Sequence, residues 1–152
     1  MRGASHSFFE NVIAGDAVRH AFTSFFQYGT FAKLPDLQLI VLECGASWIG
    51  YWLDRMDAIY ESPQGLTVRA RLAQKPSDVF KRQCWISADP DETTLAGVIP
   101  VVGEDRFFWA SDFPHPDHPP DYIANLSTLV SKLPESARRG LLGENCARVY
   151  GL

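Results

Sequence analysis

From residue 16 onward the apolar positions fall into a helical period. Val18, Phe22, Phe25 and Phe26 recur at three- and four-residue spacing, Asp16 suits an N-cap and Gly29 a stop. The pattern therefore predicts a helix there, after an irregular segment over residues 1–15. A turn is expected over 31–36, around Leu34-Pro35. Residues 37–43 (LQLIVLE) read as a strand, and the unbroken run Leu39, Ile40, Val41, Leu42 is that of a strand covered on both faces, as parallel sheets require. After Gly45 the helical period returns: Ser47 can cap, and Ile49, Trp52, Leu53, Met56 and Ile59 form one stripe with Asp54, Arg55 and Asp57 off it.

Residues 61–73, with Pro63 and Gly65, predict an irregular insert. A short helix over 77–82 leads into a strand over 84–88, closed by Asp89-Pro90. A helix over 91–101 and a strand over 106–110 follow, the latter with Phe107, Phe108 and Trp109. A proline-rich loop (SDFPHPDHPP, 111–120) separates this strand from helices over 122–133, from Pro134, and from 143 to Gly151. Helices alternate with three strands, and that order predicts an α/β fold with a parallel sheet built from crossover units.

The remaining bulk properties narrow the class. At 152 residues, 46% hydrophobic and 12% aromatic, the chain can bury one core, which excludes disorder as a description of the whole. A net charge of −4 lacks the basic stripe that nucleic acid or an anionic membrane surface would demand. The apolar runs fall far short of the roughly 20 residues of a membrane span. Cys44, Cys84 and Cys146 are scattered and odd in number, as expected of reduced thiols in a cytoplasmic protein rather than of a disulfide framework.

Chemistry in parallel α/β folds gathers at the carboxyl ends of strands. Three such ends can be read: Glu43-Cys44-Gly45, Ser87-Ala88-Asp89, and Ser111-Asp112 followed by His115, Asp117 and His118. Asp112 directly follows a strand, where a carboxylate can ligate a divalent cation or take a proton from water; a plain turn residue is the competing reading. Asp117 and His118 read as a solvated loop. Glu43 closes the most apolar strand, and a charge there needs either a polar cavity or a partner. Cys44 has no His or Asn partner at a recognisable spacing, so a thiol nucleophile is not expected.

Four stretches carry a resemblance: GTFAKLPDLQLIVLECGASWIGYWLDRMD (29–57), PSDVFKRQCWISADPDE (76–92), GEDRFFWASDFPH (103–115) and LGENCARVYGL (142–152). In order and spacing they resemble the C-terminal part of the amidohydrolase-related family. Its metal-dependent barrels include aminocarboxymuconate-semialdehyde decarboxylase and resorcylate-type decarboxylases. The S-D-x-P-H element at residues 111–115 is the most specific of them.

The resemblance implies a (β/α)8 barrel of which this chain supplies about strands six to eight, and one divalent metal, often zinc. Family members hold that metal with an HxH pair on the first strand, a His on the fifth and an Asp on the eighth. Only the Asp has a counterpart here, Asp112, which is then both metal ligand and proton shuttle. No HxH pair occurs in the 152 residues. Decarboxylase members place a further His after the sixth strand, and here that place reads Glu43-Cys44-Gly45. Glu43 is then expected to orient a water or a substrate group, with Trp48 lining the pocket and His115 positioning the substrate.

Two functions follow as expectations. The first is the C-terminal part of a metal-dependent enzyme that decarboxylates or hydrolyses a small aromatic or cyclic carboxylic acid. The second is a non-catalytic half-barrel. A full barrel needs about 250 residues, and three strands leave open edges, so self-association or pairing with a missing half is expected of the isolated chain.

Overall fold

The computed structural model describes residues 7–111, Phe113 and residues 121–152. Among the described residues the helices are α1 (Phe8–Ile13), α2 (Asp16–Gln27), α3 (Thr30–Lys33), α4 (Trp48–Glu61), α5 (Leu66–Arg69), α6 (Pro76–Gln83), α7 (Leu95–Val102), α8 (Tyr122–Ser131), α9 (Glu135–Arg139) and α10 (Asn145–Tyr150). The strands are β1 (Leu39–Val41), β2 (Cys84–Ala88) and β3 (Phe107–Trp109). They form a three-stranded sheet in the order β1-β2-β3. Both pairings are parallel, with Ile40 opposite Trp85 and Ile86 opposite Phe107. No helix among the described residues is long and apolar enough to cross a membrane.

Side chains alternate across the strands. Val41, Cys84, Ile86, Ala88 and Phe107 face the helices and join one core with Phe22, Phe26, Ile49, Leu53, Phe80, Leu95 and Ile99. The opposite face carries Ile40, Trp85, Ser87 and Phe108, by register and alternation. Trp85 is stacked by the guanidinium of Arg106, 4.7 Å from the ring centroid. The helical side is held by aromatic edges: Phe22 meets Phe26, Trp48 and Phe80 at centroid distances of 4.9, 5.7 and 6.1 Å. Pairs of this kind contribute roughly 0.5–1.5 kcal/mol each beyond burial.

Buried polar groups tie the elements together. The Gln83 amide donates to the carbonyls of Leu34 and Leu37 at 3.0 and 2.9 Å, fixing the chain that enters β1. The Asn145 amide donates to Glu104 and Phe107 carbonyls at 2.9 and 2.7 Å, pinning α10 to β3.

Several expectations need correction. Residues 1–15 are not wholly irregular, because Phe8–Ile13 is a helix. Ser7 and Glu10 explain its start: each accepts the other's backbone N–H, at 3.2 and 2.7 Å, a reciprocal cap. The expected turn over 31–36 begins with the short α3, entered through Gly29 at φ +65°. The insert over 61–73 contains α5 and a 3-10 turn, Pro63–Gly65. The first strand is shorter than the apolar run implied, and only its last residue, Val41, is fully buried.

Candidate functional site

The carboxyl end of β1 is set by two left-handed residues. Glu43 has φ +56° and Gly45 φ +66°. For glutamate that conformation costs about 1 kcal/mol or more, so something must hold it. The Glu43 backbone N–H donates to Ser87 Oγ over a long 3.4 Å. The stronger tie comes from Glu92. Its Oε1 accepts the N–H groups of Ala46 at 2.8 Å and Asp89 at 2.9 Å, and its Oε2 accepts that of Ser47 at 2.6 Å. One carboxylate thus caps α4 from a different loop and staples the ends of β1 and β2 together. A Cβ built on Gly45 would lie 3.5 Å from the Glu92 carboxylate and 3.6 Å from Asp89 Oδ2, so the turn packs directly against both acids.

Glu43 itself is exposed. The expectation that its charge closes a buried strand is corrected: β1 ends at Val41, and the turn carries the carboxylate into solvent at the strand mouth. Trp48 folds back over the same turn, its indole N–H donating to the Gly45 carbonyl at 2.9 Å. Cys44 is half-buried, and burial pushes its thiol pKa upward. A protonated thiol is a poor nucleophile.

At the end of β2, Ser87 is buried and Asp89 begins the turn that Glu92 closes. At the end of β3, the Ala110 N–H donates to the Ala88 carbonyl at 3.3 Å, carrying the ladder one residue further. Trp109 stacks on Tyr122 at 6.3 Å and 26°. Phe113 is exposed, with its N–H donating to Ser111 Oγ at 3.3 Å. Asp112 and His115 lie outside the described residues. The structure thus brings the Glu43 and Ser87-Asp89 ends together and leads the third strand up to Ser111 beside them. Among the described residues no group of three or more His, Cys, Asp and Glu side chains is placed to hold a metal ion.

Comparison with known proteins decides the family. The family model described as Amidohydrolase matches residues 6–152. The chain belongs to the amidohydrolase family. Solved amidohydrolase-type structures share its fold. One is an amidohydrolase from Mycobacterium avium subsp. paratuberculosis K-10, with a TM-score of 0.75, 18% identity, and coverage of 92% of this chain and 35% of that one. The Metarhizium anisopliae IDCase in apo form follows with a TM-score of 0.67, 21% identity, and coverage of 86% and 38%. A dihydroxybenzoic acid decarboxylase from Polaromonas sp. JS666, with bound manganese and the inhibitor 2-nitroresorcinol, gives 0.65, 20%, and coverage of 91% and 41%. A search of curated proteins found no match. The chain therefore spans about two fifths or less of the length of these structures. Its parallel sheet and helices correspond to part of an amidohydrolase (β/α)8 barrel.

Sequence reasoning missed Glu92. The N–H groups it accepts before α4 lie 46 and 45 residues earlier in the chain, so no local capping pattern marks it; the available signal was the acidic turn DPDE directly after a strand.

Proposed function

We propose that this chain supplies strands six to eight, as the C-terminal part, of a metal-dependent amidohydrolase-family enzyme, and that the enzyme decarboxylates or hydrolyses a small aromatic or cyclic carboxylic acid. What carries this reading is the family match over nearly the whole chain, joined to a parallel sheet whose carboxyl ends converge on the Glu43, Asp89 and Ser111 turns. The decarboxylases among the similar structures, one with manganese bound, support the substrate class and a divalent cation. Asp112, following the third strand, provides one carboxylate toward that cation, which as a Lewis acid polarises substrate or lowers the pKa of water. The other ligands belong to strands outside this chain. Whether zinc or manganese is used follows from how many imidazoles those strands add.

The remaining roles are assigned to this chain's own side chains. Glu43 projects from a turn locked by Glu92 and orients water or a polar substrate group. Trp48 gives an apolar wall, and His115 positions the substrate from the proline-rich loop. Asp112 additionally accepts a proton.

The test is the longest reading frame containing these residues, expressed, supplied with manganese or zinc, and assayed on dihydroxybenzoates by ultraviolet absorbance. Asp112→Asn is expected to lower turnover by at least about 100-fold, the lower end of what general-base assistance contributes, with an unchanged far-ultraviolet circular dichroism spectrum. His115→Ala should cost less. Full turnover in a folded Asp112→Asn protein sinks the metal and proton role.

A further inference from the structure

Beside the strand mouth, on the helical side of β1, lies an open cleft of about 410 Å³ lined by Asp16, Arg19, His20, Trp48, Tyr51 and Trp52. The first turns of α2 and α4 form its two walls. Of these side chains only Trp48 also belongs to the proposed substrate pocket, and the cleft needs no metal. We propose that it is a binding site for a small planar organic anion, separate from the reacting centre.

The chemistry of the walls supports that ligand. Trp48 and Trp52 meet edge to face at 6.2 Å, and Tyr51 meets Trp52 at 6.5 Å, which presents ring faces and edges at several angles to a flat molecule. Both tryptophans are held in place. Trp48 donates to the Gly45 carbonyl at 2.9 Å, and Trp52 to Thr23 Oγ1 at 2.8 Å. The walls are therefore formed before any ligand arrives, which limits the ordering cost of binding.

Arg19 supplies the charge. Its guanidinium sits 5.8 Å from the Trp48 ring centroid and its side chain is 22% exposed. One nitrogen, Nη2, is paired with Asp16 on the same helix. Its Nη1 and Nε donate to nothing among the described residues. A guanidinium beside an indole, with Nη1 and Nε still unused, offers a carboxylate a charge-assisted hydrogen bond, while both paired edges of the guanidinium include the Nη2 that Asp16 holds. Asp16, 49% exposed, is a built-in competitor for the same cation. Its presence predicts modest affinity that rises when it is neutralised.

The cleft also touches the strand mouth. A Cβ built on Gly15 would lie 3.6 Å from Arg19 Nη1, from Cys44 Cβ and from the Cys44 carbonyl. An anion on Arg19 is thus next to the Cys44-Gly45 turn, and Trp48 is shared between that turn and the cleft.

The test titrates the 152-residue chain with benzoate, benzamide and acetate by isothermal calorimetry. Benzoate is expected to bind in the millimolar range, with benzamide, which lacks the charge, and acetate, which lacks the ring, each at least about tenfold weaker. Arg19→Gln should weaken benzoate by about tenfold or more, and Arg19→Lys should fall between, because it keeps charge and loses the planar fork. Asp16→Asn, a partly exposed position, should tighten binding several-fold; it serves even if Arg19→Gln fails to fold. Benzoate binding that ignores both substitutions, or no binding at all, overturns the proposal. So does affinity that falls as protein concentration rises, which would assign the cleft to contact between two copies. None of these readouts depends on turnover, so the catalytic reading can fail while this one stands.

Discussion

Two side chains show how much single residues carry here. Glu92 satisfies three backbone N–H groups, two of them opening α4. Removing it strands donors that are partly buried, at a cost of about 1–3 kcal/mol. Glu92→Ala should therefore lower the denaturation midpoint clearly, while Glu92→Gln, which keeps one acceptor oxygen, should lose less; equal losses would show that the carboxylate geometry is irrelevant. Cys84 is fully buried on β2, and burial drives its thiol pKa far above the ordinary 9.0. Below about pH 9 both states keep the proton and stability is unaffected. Above it the unfolded chain ionises and the folded chain does not, so stability falls as pH rises, by up to about 1.4 kcal/mol per pH unit. Cys44 shifts in the same sense. Cys84→Ala should flatten the alkaline limb of stability measured by urea denaturation from pH 8 to 10.5, despite a lower stability at pH 7 from the lost packing. An unchanged slope would mean that other groups govern alkaline unfolding.

Elements were legible where the apolar period was long, and illegible where a tertiary contact set the ends. Cys84–Ala88 forms a strand over the residues its pattern marks, because all five positions are buried and the period leaves no alternative. The helix 91–101 starts late, at Leu95, since Glu92 is spent on the β1 turn and its own backbone closes a turn onto Asp89. The strand 37–43 shrinks to Leu39–Val41 because Gln83 takes the Leu37 carbonyl and the left-handed Glu43 turns the chain away. The site was legible to a similar degree: its strand ends were visible as motifs, while the staple between them joins residues 45 and 46 apart and leaves no local pattern. Asp57 makes the same kind of link between helices. It accepts the Ser77 N–H at 3.0 Å and the Ser77 hydroxyl at 2.5 Å, capping α6 from α4. Asp57→Ala should cost about 0.5–2 kcal/mol, and Asp57→Asn less, by thermal or chemical denaturation. A neutral Asp57→Ala would show that Pro76 alone starts α6.

At the scale of the whole molecule the sheet is open on both sides. β1 and β3 each pair only with β2, so each leaves one edge of N–H and C=O groups without a strand among the described residues. The similar structures are more than twice as long as this chain, and the barrel they form closes such edges. The α1 helix adds an apolar surface of its own, with Phe8 86% and Phe9 67% exposed. Exposed ring surface next to unpaired strand edges is the usual ground for association. The isolated 152-residue chain is therefore expected to self-associate at tens of micromolar, roughly the range in which exposed folding intermediates aggregate. Light scattering across a dilution series measures it. Phe8→Ser with Phe9→Ser should reduce the association without abolishing it, because the substitutions remove the helix surface and leave the strand edges. If that pair abolishes it, α1 is the whole interface and the sheet edges are shielded. A monomer at every concentration would mean that neither surface is sticky, and that the described sheet is stable with its edges bare.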